Sequence, residues 1–306
     1  MLTRKKIKST YERIKKRNHH SLRSLLLQGK QMSWQVAALP PNTGFRRAGF
    51  GVFSQSDEDG ILQYLLAHIP IPNQTFIEFG AEYYEESNTR FLLLNNRWQG
   101  MLLDASDEDI RYIKSDSIYW QHDLQVHRAW ITRENIDALL ASSGFAEDMG
   151  LLSIDIDGNE YWIWQAIVSL RPRIVIVEFN GLFGLQPLVV PYQEDFQRAA
   201  AHHSTLYYGS SLAALHYLAQ EKGYILLGTN LFGHNAFFVR SDVAADFKGL
   251  SPAEVYRPSH FRESRDAAGR LTYARGNQRV ELIQDLPFFN VQTGITASLR
   301  DFCANS

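Results

Sequence analysis

The chain of 306 residues lacks several features that would place it at once in a well-defined class. Its one cysteine, Cys303, excludes a disulfide framework and a thiolate metal site. No run approaches the roughly 18 to 20 apolar residues that span a bilayer, and the N-terminus has no apolar stretch of the secretory type. The dinucleotide fingerprint G-x-G-x-x-G is also absent from every predicted strand-to-helix turn. These absences predict a cytoplasmic globular protein that does not use a nicotinamide cofactor.

Charge is distributed very unevenly along the chain. Residues 1–30 contain ten Lys or Arg against a single acid, Glu12, so this segment carries +9 and the remainder −11, for a net charge of −2. Apolar residues recur among the bases at roughly helical spacing, which predicts a basic amphipathic helix: Ile7, Tyr11, Ile14, Leu22, Leu25 and Leu26. Such a helix suits an anionic surface, and peripheral attachment to the inner face of a membrane is favoured over nucleic acid. A solvated arm and a helix that joins two copies in a homo-oligomer are the alternatives.

Composition divides the chain into three parts. Residues 1–53 form the basic arm and an irregular linker with Pro40-Pro41, and residues 54–245 form the main domain. Residues 246–306 form a C-terminal extension that packs on this domain. The extension contains a basic cluster that either receives an anionic acceptor or forms a solvated hairpin: Arg257, His260, Arg262, Arg265 and Arg270.

The main domain alternates strand and helix patterns, which is typical of an α/β fold with a parallel sheet. Seven strands are predicted at 75–81, 101–105, 117–123, 152–157, 174–179, 224–228 and 236–240. Helices are predicted at 57–69, 88–97, 107–114, 132–143, 160–170 and 210–222. The last two strands have hairpin spacing around Asn230 and Gly233. A mostly parallel seven-stranded sheet closed by an antiparallel hairpin is the layout of the class I methyltransferase-like Rossmann fold.

Seven short segments together resemble the FkbM-like methyltransferases, over about residues 54–240. They are residues 54–60 (SQSDEDG), 76–81 (FIEFGA), 87–89 (SNT), 152–158 (LSIDIDG), 177–180 (VEFN), 208–212 (YGSSL) and 235–240 (NAFFVR). The resemblance implies an enzyme that moves a methyl group from S-adenosylmethionine to a hydroxyl of a sugar or glycan. If the basic helix attaches the protein to a membrane, this acceptor would be lipid-linked. The chain departs from the usual glycine-rich cofactor loop, because Gly80 is followed by Glu82-Tyr-Tyr-Glu-Glu86.

The resemblance also implies a set of cofactor-binding residues. Glu78 and Gly80 end the first strand, near the methionine part of the cofactor, and the motif around Asn88 and the segment around Gln55 belong to the same site. Asp104, at the end of the second strand, is placed to accept hydrogen bonds from both ribose hydroxyls, or else to cap the following helix. Asp123, after the predicted third strand, is placed at the adenine amino group, or else in a surface loop.

Three acids are predicted to meet at the carboxyl edge of the sheet, where ligands bind in open α/β folds. Asp155 and Asp157 alternate at the end of one strand, and Glu178 ends the next strand. Either they contact the cofactor amine and the acceptor hydroxyl as catalytic groups, or they coordinate Mg²⁺ or Mn²⁺ together with His234. Without a metal, mutual repulsion should raise at least one pKa and create a general base. A turn cap at Asp155, an arginine partner for Glu178 and a solvated His234 are the structural alternatives.

Two other functions fit the same residues. A non-catalytic binding or scaffold protein would keep the fold without using the cofactor, and the glycine-poor turn after Gly80 favours it. A metal-dependent hydrolase or phosphotransferase would use Asp155, Asp157 and Glu178 without an adenosyl cofactor.

Overall fold

The fold is built on a seven-stranded sheet. The computed structural model describes residues 4–259 and 261–304, and it describes side chains from His20 onward except that of Cys303. The strands of the sheet are β1 (Thr75–Phe79), β2 (Gln99–Asp104), β3 (Leu124–Arg128), β4 (Leu151–Ile154), β5 (Ile174–Glu178), β7 (Tyr224–Thr229) and β8 (Asn235–Arg240). A smaller sheet joins β6 (Leu188–Val189), β9 (Pro287–Asn290) and β10 (Thr296–Ser298).

Helices cover both faces of the large sheet and extend from both ends of the chain. They are α1 (Arg4–Ala37), α2 (Phe45–Ala48), α3 (Glu58–His68), α4 (Asp107–Ser115), α5 (Ser117–Gln121), α6 (Ile136–Ala141), α7 (Glu160–Ala166), α8 (Arg198–Ala201), α9 (Leu212–Glu221), α10 (Pro252–Val255), α11 (Asn277–Glu281) and α12 (Leu299–Ala304). A π-helical turn spans Leu92–Asn96, and 3₁₀ turns span Gly181–Phe183 and Ser241–Val243.

The strand order of the large sheet is β3-β2-β1-β4-β5-β8-β7. Strands β1 to β5 pair in parallel, whereas β8 runs antiparallel to both β5 and β7. This reversed strand inserted between β5 and β7 defines the class I methyltransferase-like Rossmann fold, and it confirms the predicted fold class and the predicted hairpin.

The prediction of a strand at 117–123 is wrong. Asp116 accepts a hydrogen bond from the backbone N–H of Ile118 at 3.0 Å and caps α5 instead. The third strand follows at Leu124–Arg128, where only Leu124 and Val126 are buried. Because β3 is an edge strand with few buried residues, its hydrophobic signal is weak, and the aromatic residues of α5 imitate a strand.

The predicted linker 34–53 belongs to the hydrophobic core. Val36, Phe45 and Ala48 are buried, and the ring of Phe45 packs edge-on against Phe237 of β8, with centroids 5.3 Å apart. Gly29 lies against the core as well, since an added Cβ would fall 2.7 Å from the side chain of Val52. The arm is therefore anchored to the sheet through its C-terminal turns.

The predicted basic helix is confirmed as a helix, because α1 is continuous over 34 residues. Most of its charged side chains, those of residues 4–17, lie outside the described side chains. From Leu25 onward several large apolar residues are exposed, including Leu27 and Trp34, which are 70% and 68% accessible. In the described part of the chain, no helix has both the length and the hydropathy needed to cross a bilayer.

The C-terminal extension packs on the domain through the small sheet and through an apolar cluster that joins Phe183 of the domain to Phe288 of the extension. The predicted basic cluster there forms local contacts: Arg270 pairs with Asp266 at 2.8 Å, Arg265 pairs with Glu263 at 3.2 Å and Arg262 stacks on Tyr273. His260 lies outside the described residues.

Candidate functional site

A cavity of about 350 Å³ opens at the carboxyl ends of β1, β2, β3 and β4. This size is at the lower end of the range for small-molecule sites, and the position is the one at which ligands bind in open α/β sheets. Gln55, from the segment before α3, and His234 and Asn235, from the β7–β8 hairpin, complete the wall. Among the residues predicted for the cofactor, Gln55, Glu78, Gly80, Asn88, Asp104 and Asp155 all line this cavity.

Glu78 organises the wall beside β1. Its buried carboxylate accepts hydrogen bonds from the hydroxyls of Ser87 and Thr89 and from the backbone N–H of Asn88 at 3.0 Å. Burial raises the pKa of Glu78 above its ordinary value, and these donors oppose the rise. The side chain of Asn88 donates in turn to Ser153 of β4 at 3.1 Å. Glu78 therefore ties the 87–89 turn to β1, and the Asn88 amide ties it to β4.

Gly80 occupies a left-handed conformation with φ of 70° directly after β1. A Cβ built on it would lie 1.9 Å from the backbone carbonyl oxygen of Asp155. The glycine is therefore required first by the close approach of β1 to β4, whereas the sequence predicted a close approach to the cofactor.

Asp104 lines the cavity at the end of β2. Its two carboxylate oxygens accept from the backbone N–H groups of Ser106 at 2.8 Å and Glu82 at 3.0 Å, each keeping lone pairs for a ligand. The helix-cap alternative is wrong, because Ser106 caps α4 by accepting from Asp109.

Asp123 is absent from the cavity wall, so its predicted place at the adenine group is wrong. Since the third strand begins at Leu124 rather than ending near 123, Asp123 lies at the amino edge of the sheet. There it is exposed and accepts from the side chain of Gln99 at 2.6 Å. The residues that follow β3 and reach the cavity are Ala129, Trp130 and Ile131.

The acids at the ends of β4 and β5 form a cluster whose membership differs from the prediction. Asp155, Glu160 and Glu178 each offer one carboxylate oxygen, and these oxygens lie within 4.8 Å of one another. Burial raises the pKa of Asp155 and Glu178 well above the ordinary range, and the mutual repulsion of the three acids adds to it. Burial likewise raises the pKa of Glu160 to about 7. We call this group the acid trio.

Asp157 and His234 lie outside the acid trio. Asp157 adopts a left-handed φ of 56° and directs its exposed carboxylate to Arg198 at 2.6 Å. His234 is buried, not solvated, with Nε2 3.7 Å from the carboxylate of Glu58 and its ring against Phe261. Burial lowers the pKa of His234. The four predicted ligands therefore do not come together, and the acids that lie close to one another are Asp155, Glu160 and Glu178.

Glu160 was not among the predicted site residues, although it lies close to Asp155 and Glu178. An acid in the first turn of a helix is ordinarily explained by the helix dipole, which hides any other role. The available signal was the Asp157-Gly158 turn just before α7. The backbone N–H groups of Ile156 and Gly158 donate to Glu160 at 3.2 and 2.7 Å, so this acid folds back over the end of β4.

The cavity wall is strongly acidic. Its described lining contains seven carboxylates and neither lysine nor arginine: Glu78, Glu82, Glu86, Asp104, Asp109, Asp155 and Asp157. Glu82 illustrates the field, since burial and the neighbouring acids Asp157, Asp109 and Asp104 raise its pKa. Such a cavity favours a ligand that carries positive charge and hydrogen-bond donors.

Comparison with known proteins yields structural likenesses only, because no family model and no curated protein matches the chain. The N-terminal domain of EvdMO1 with SAH bound is 11% identical over 71% of this chain and 94% of its own, with a TM-score of 0.39. An S-adenosylmethionine-dependent methyltransferase from Clostridium acetobutylicum ATCC 824 is 8% identical over 64% and 91%, with a TM-score of 0.38. The CurJ carbon methyltransferase is 10% identical over 60% and 52%, also with a TM-score of 0.38. The chain thus spans about half the length of some structures that it matches, and likeness at these identities does not extend to activity.

Proposed function

We propose that the protein is an S-adenosylmethionine-dependent methyltransferase that acts on a hydroxyl of a sugar or glycan. The acidic cavity at the carboxyl edge of the sheet supports S-adenosylmethionine as the methyl donor. S-adenosylmethionine carries a sulfonium and an ammonium group, and seven carboxylates without a lysine or arginine suit that charge. Asp104 has free lone pairs where the resemblance to FkbM-like enzymes implies the ribose hydroxyls.

A sugar or glycan acceptor is supported by the same resemblance and by two aromatic residues that line the cavity. Trp130 lines the cavity and is 46% exposed, and the buried ring of Phe196 lines it as well. Aromatic faces complement the apolar faces of pyranose rings. Trp130 is held in place, because its indole N–H donates to the carbonyl oxygen of Glu194 at 2.9 Å.

The cofactor, when bound, supplies an electrophilic methyl group on a sulfonium sulfur. The residues around it would hold the acceptor oxygen in line with that methyl group and receive the hydroxyl proton as the new carbon–oxygen bond forms. Asp155 is placed for proton transfer, since its side chain lines the cavity and lies beside Glu178. Once deprotonated, its carboxylate would be a stronger base than that of an ordinary aspartate, because burial raises the pKa of Asp155.

Calorimetric titration with S-adenosylhomocysteine tests the proposal without knowledge of the acceptor. We expect binding in the micromolar range that Asp104→Ala weakens on the order of 10- to 100-fold, because a charged hydrogen-bond acceptor is lost. Asp123→Ala is the matched control, since this acid lies at the opposite edge of the sheet, and it should leave affinity unchanged. Failure of the wild-type protein to bind would overturn the proposal in favour of a scaffold protein or a hydrolase.

A further inference from the structure

We propose that Asp155, Glu160 and Glu178 bind one divalent cation that prefers oxygen ligands, Mg²⁺ or Mn²⁺. The three carboxylates come from the end of β4, the first turn of α7 and the end of β5, with one oxygen of each inside a 4.8 Å limit. Oxygens bound to Mg²⁺ at about 2.1 Å lie at most about 4.2 Å apart, so small side-chain rotations would close the coordination sphere.

Two oxygens of the acid trio are buried without a hydrogen-bond partner. They are Glu160 Oε2 and Glu178 Oε2, and the two residues are 0% and 8% accessible. A buried carboxylate oxygen without a donor is costly, and a coordinated cation would satisfy both atoms at once. A positively charged or hydrogen-bond-donating group at this place would satisfy these two acceptors.

The position of Glu160 Oε2 is fixed before any ligand arrives. The other oxygen, Oε1, accepts from Ile156 and Gly158, which leaves the side chain little freedom. Gly209 packs closely against Oε2, since a Cβ built on this glycine would lie only 3.2 Å from that oxygen. A preorganised ligand of this kind lowers the entropy cost of binding an ion.

Protein cations do not neutralise the acid trio. In the described part of the chain, no lysine or arginine nitrogen lies within 4.0 Å of its carboxylate oxygens, and its members appear in none of the ion pairs there. Arg198 acts on Glu178 only without direct pairing, since its guanidinium stacks on Tyr208 at 3.9 Å and pairs with Asp157 and Glu263. None of the three acids in the trio has a direct counter-ion there, and a divalent cation would supply one.

The cation site extends the proposed methyl transfer and depends on it for its role. Asp155 lines the cavity, whereas Glu160 and Glu178 do not, so the ion would lie behind the cavity wall and share one ligand with it. A coordination position that opens past Asp155 into the cavity would hold the acceptor hydroxyl and lower the pKa of that hydroxyl. Hydroxyl acceptors would then need the ion, while binding of the adenosyl cofactor alone would not.

Titration of the whole protein with Mn²⁺, followed by the electron paramagnetic resonance signal of free Mn²⁺, tests the site directly. We expect one ion per chain, displaced by Mg²⁺, with affinity reduced about tenfold or more in Glu160→Gln and in Glu178→Gln. Asp157→Asn is the matched comparison, because Asp157 belongs to the sequence-predicted ligand set but lies outside the acid trio and pairs with Arg198, so this variant should lose less affinity than Glu160→Gln.

The outcomes separate this inference from the proposed function. Lack of saturable Mn²⁺ binding by the wild-type protein would overturn the cation site, and the buried acids would then hold protons instead. Equal weakening by Asp157→Asn and Glu160→Gln would overturn the assignment of the three ligands. If S-adenosylhomocysteine binds after chelation but Mn²⁺ does not bind, the proposed methyltransferase is supported and the cation site is overturned. If Mn²⁺ binds but S-adenosylhomocysteine does not, the cation site is supported and the proposed methyltransferase is overturned.

Discussion

Gly80 approaches Asp155 so closely that a Cβ at position 80 would lie 1.9 Å from the Asp155 carbonyl oxygen. The contact joins the ends of β1 and β4, the two strands that carry Glu78 and Asp155 to the cavity. The geometry of the site is thus set by backbone contact at one glycine as much as by the acidic side chains.

Replacing Gly80 by alanine should lower the free energy of unfolding by about 3 kcal/mol or more, because the clash with backbone adds to the left-handed strain. Gly144→Ala is the control, since Gly144 has a similar φ of 74° and open space around it, and it should cost about 1 to 2 kcal/mol. Urea unfolding measures both values. Equal losses would show that the contact with Asp155 is unimportant.

Asp59 should make stability depend on pH in a defined direction. Its Oδ2 accepts from the backbone N–H groups of Val52, Phe53 and Ser54, but Oδ1 is buried without a partner, and burial raises its pKa to about 6. The folded pKa lies above the ordinary value of 3.8, so the folded state binds more protons between these values and stability falls as pH rises from about 4 to 6.

The test compares the wild-type protein with Asp59→Asn, which cannot titrate. Over that pH window the wild type should lose about 1 to 3 kcal/mol relative to the variant. Thermal or urea unfolding at several pH values measures the difference. A constant difference, or one that favours the wild type as pH rises, would contradict the raised pKa.

The acidic cavity wall should make cofactor affinity sensitive to salt. S-adenosylmethionine carries one more positive charge than S-adenosylhomocysteine, so raising the ionic strength from about 0.05 to 0.5 M should weaken the former a few-fold more than the latter. A double variant, Glu82→Gln with Glu86→Gln, should reduce the gap between the two ligands. Calorimetry at both salt concentrations decides, and identical salt responses would argue against an electrostatic role for the wall.

Helix α1 should attach the protein to anionic vesicles through its N-terminal turns. A chain that begins at Gln28 keeps the anchoring residues Gly29, Ser33 and Val36, so its melting temperature should match that of the full chain. It should lose binding to phosphatidylserine vesicles, since each Lys or Arg near such a surface contributes about 1 kcal/mol. Flotation with neutral vesicles is the control, and unchanged binding of the shortened chain would contradict the membrane role.

The sequence predicted the sheet well because its central strands are unmistakable. The runs at Ile174–Glu178 and Asn235–Arg240 are buried at every position, and the short loop around Asn230 between β7 and β8 marks the reversed strand. The edge strand β3 was missed for the opposite reason, since only two of its five residues are buried. Asp123 was misplaced as a direct consequence.

The acid trio was only partly predictable. Alternation along a strand places Asp155 and Asp157 on one face, but β4 ends at Ile154 and the left-handed φ at Asp157 turns its side chain towards Arg198. The return of Glu160 towards β4 depends on the Gly158 turn, whose Cα lies against Phe196 from a distant part of the chain. Contacts of that range leave no local signal.

The insertion of β8 between β5 and β7 has a consequence for biosynthesis. When β7 has left the ribosome, β5 still exposes an unpaired edge with four consecutive apolar residues, because its neighbour in the sheet has not yet been synthesised. Only the arrival of residues 235–240 covers that edge and at the same moment brings His234 and Asn235 to the cavity. Nascent chains that stall before this point would be prone to aggregate, so quality control of folding and completion of the ligand site coincide in one strand.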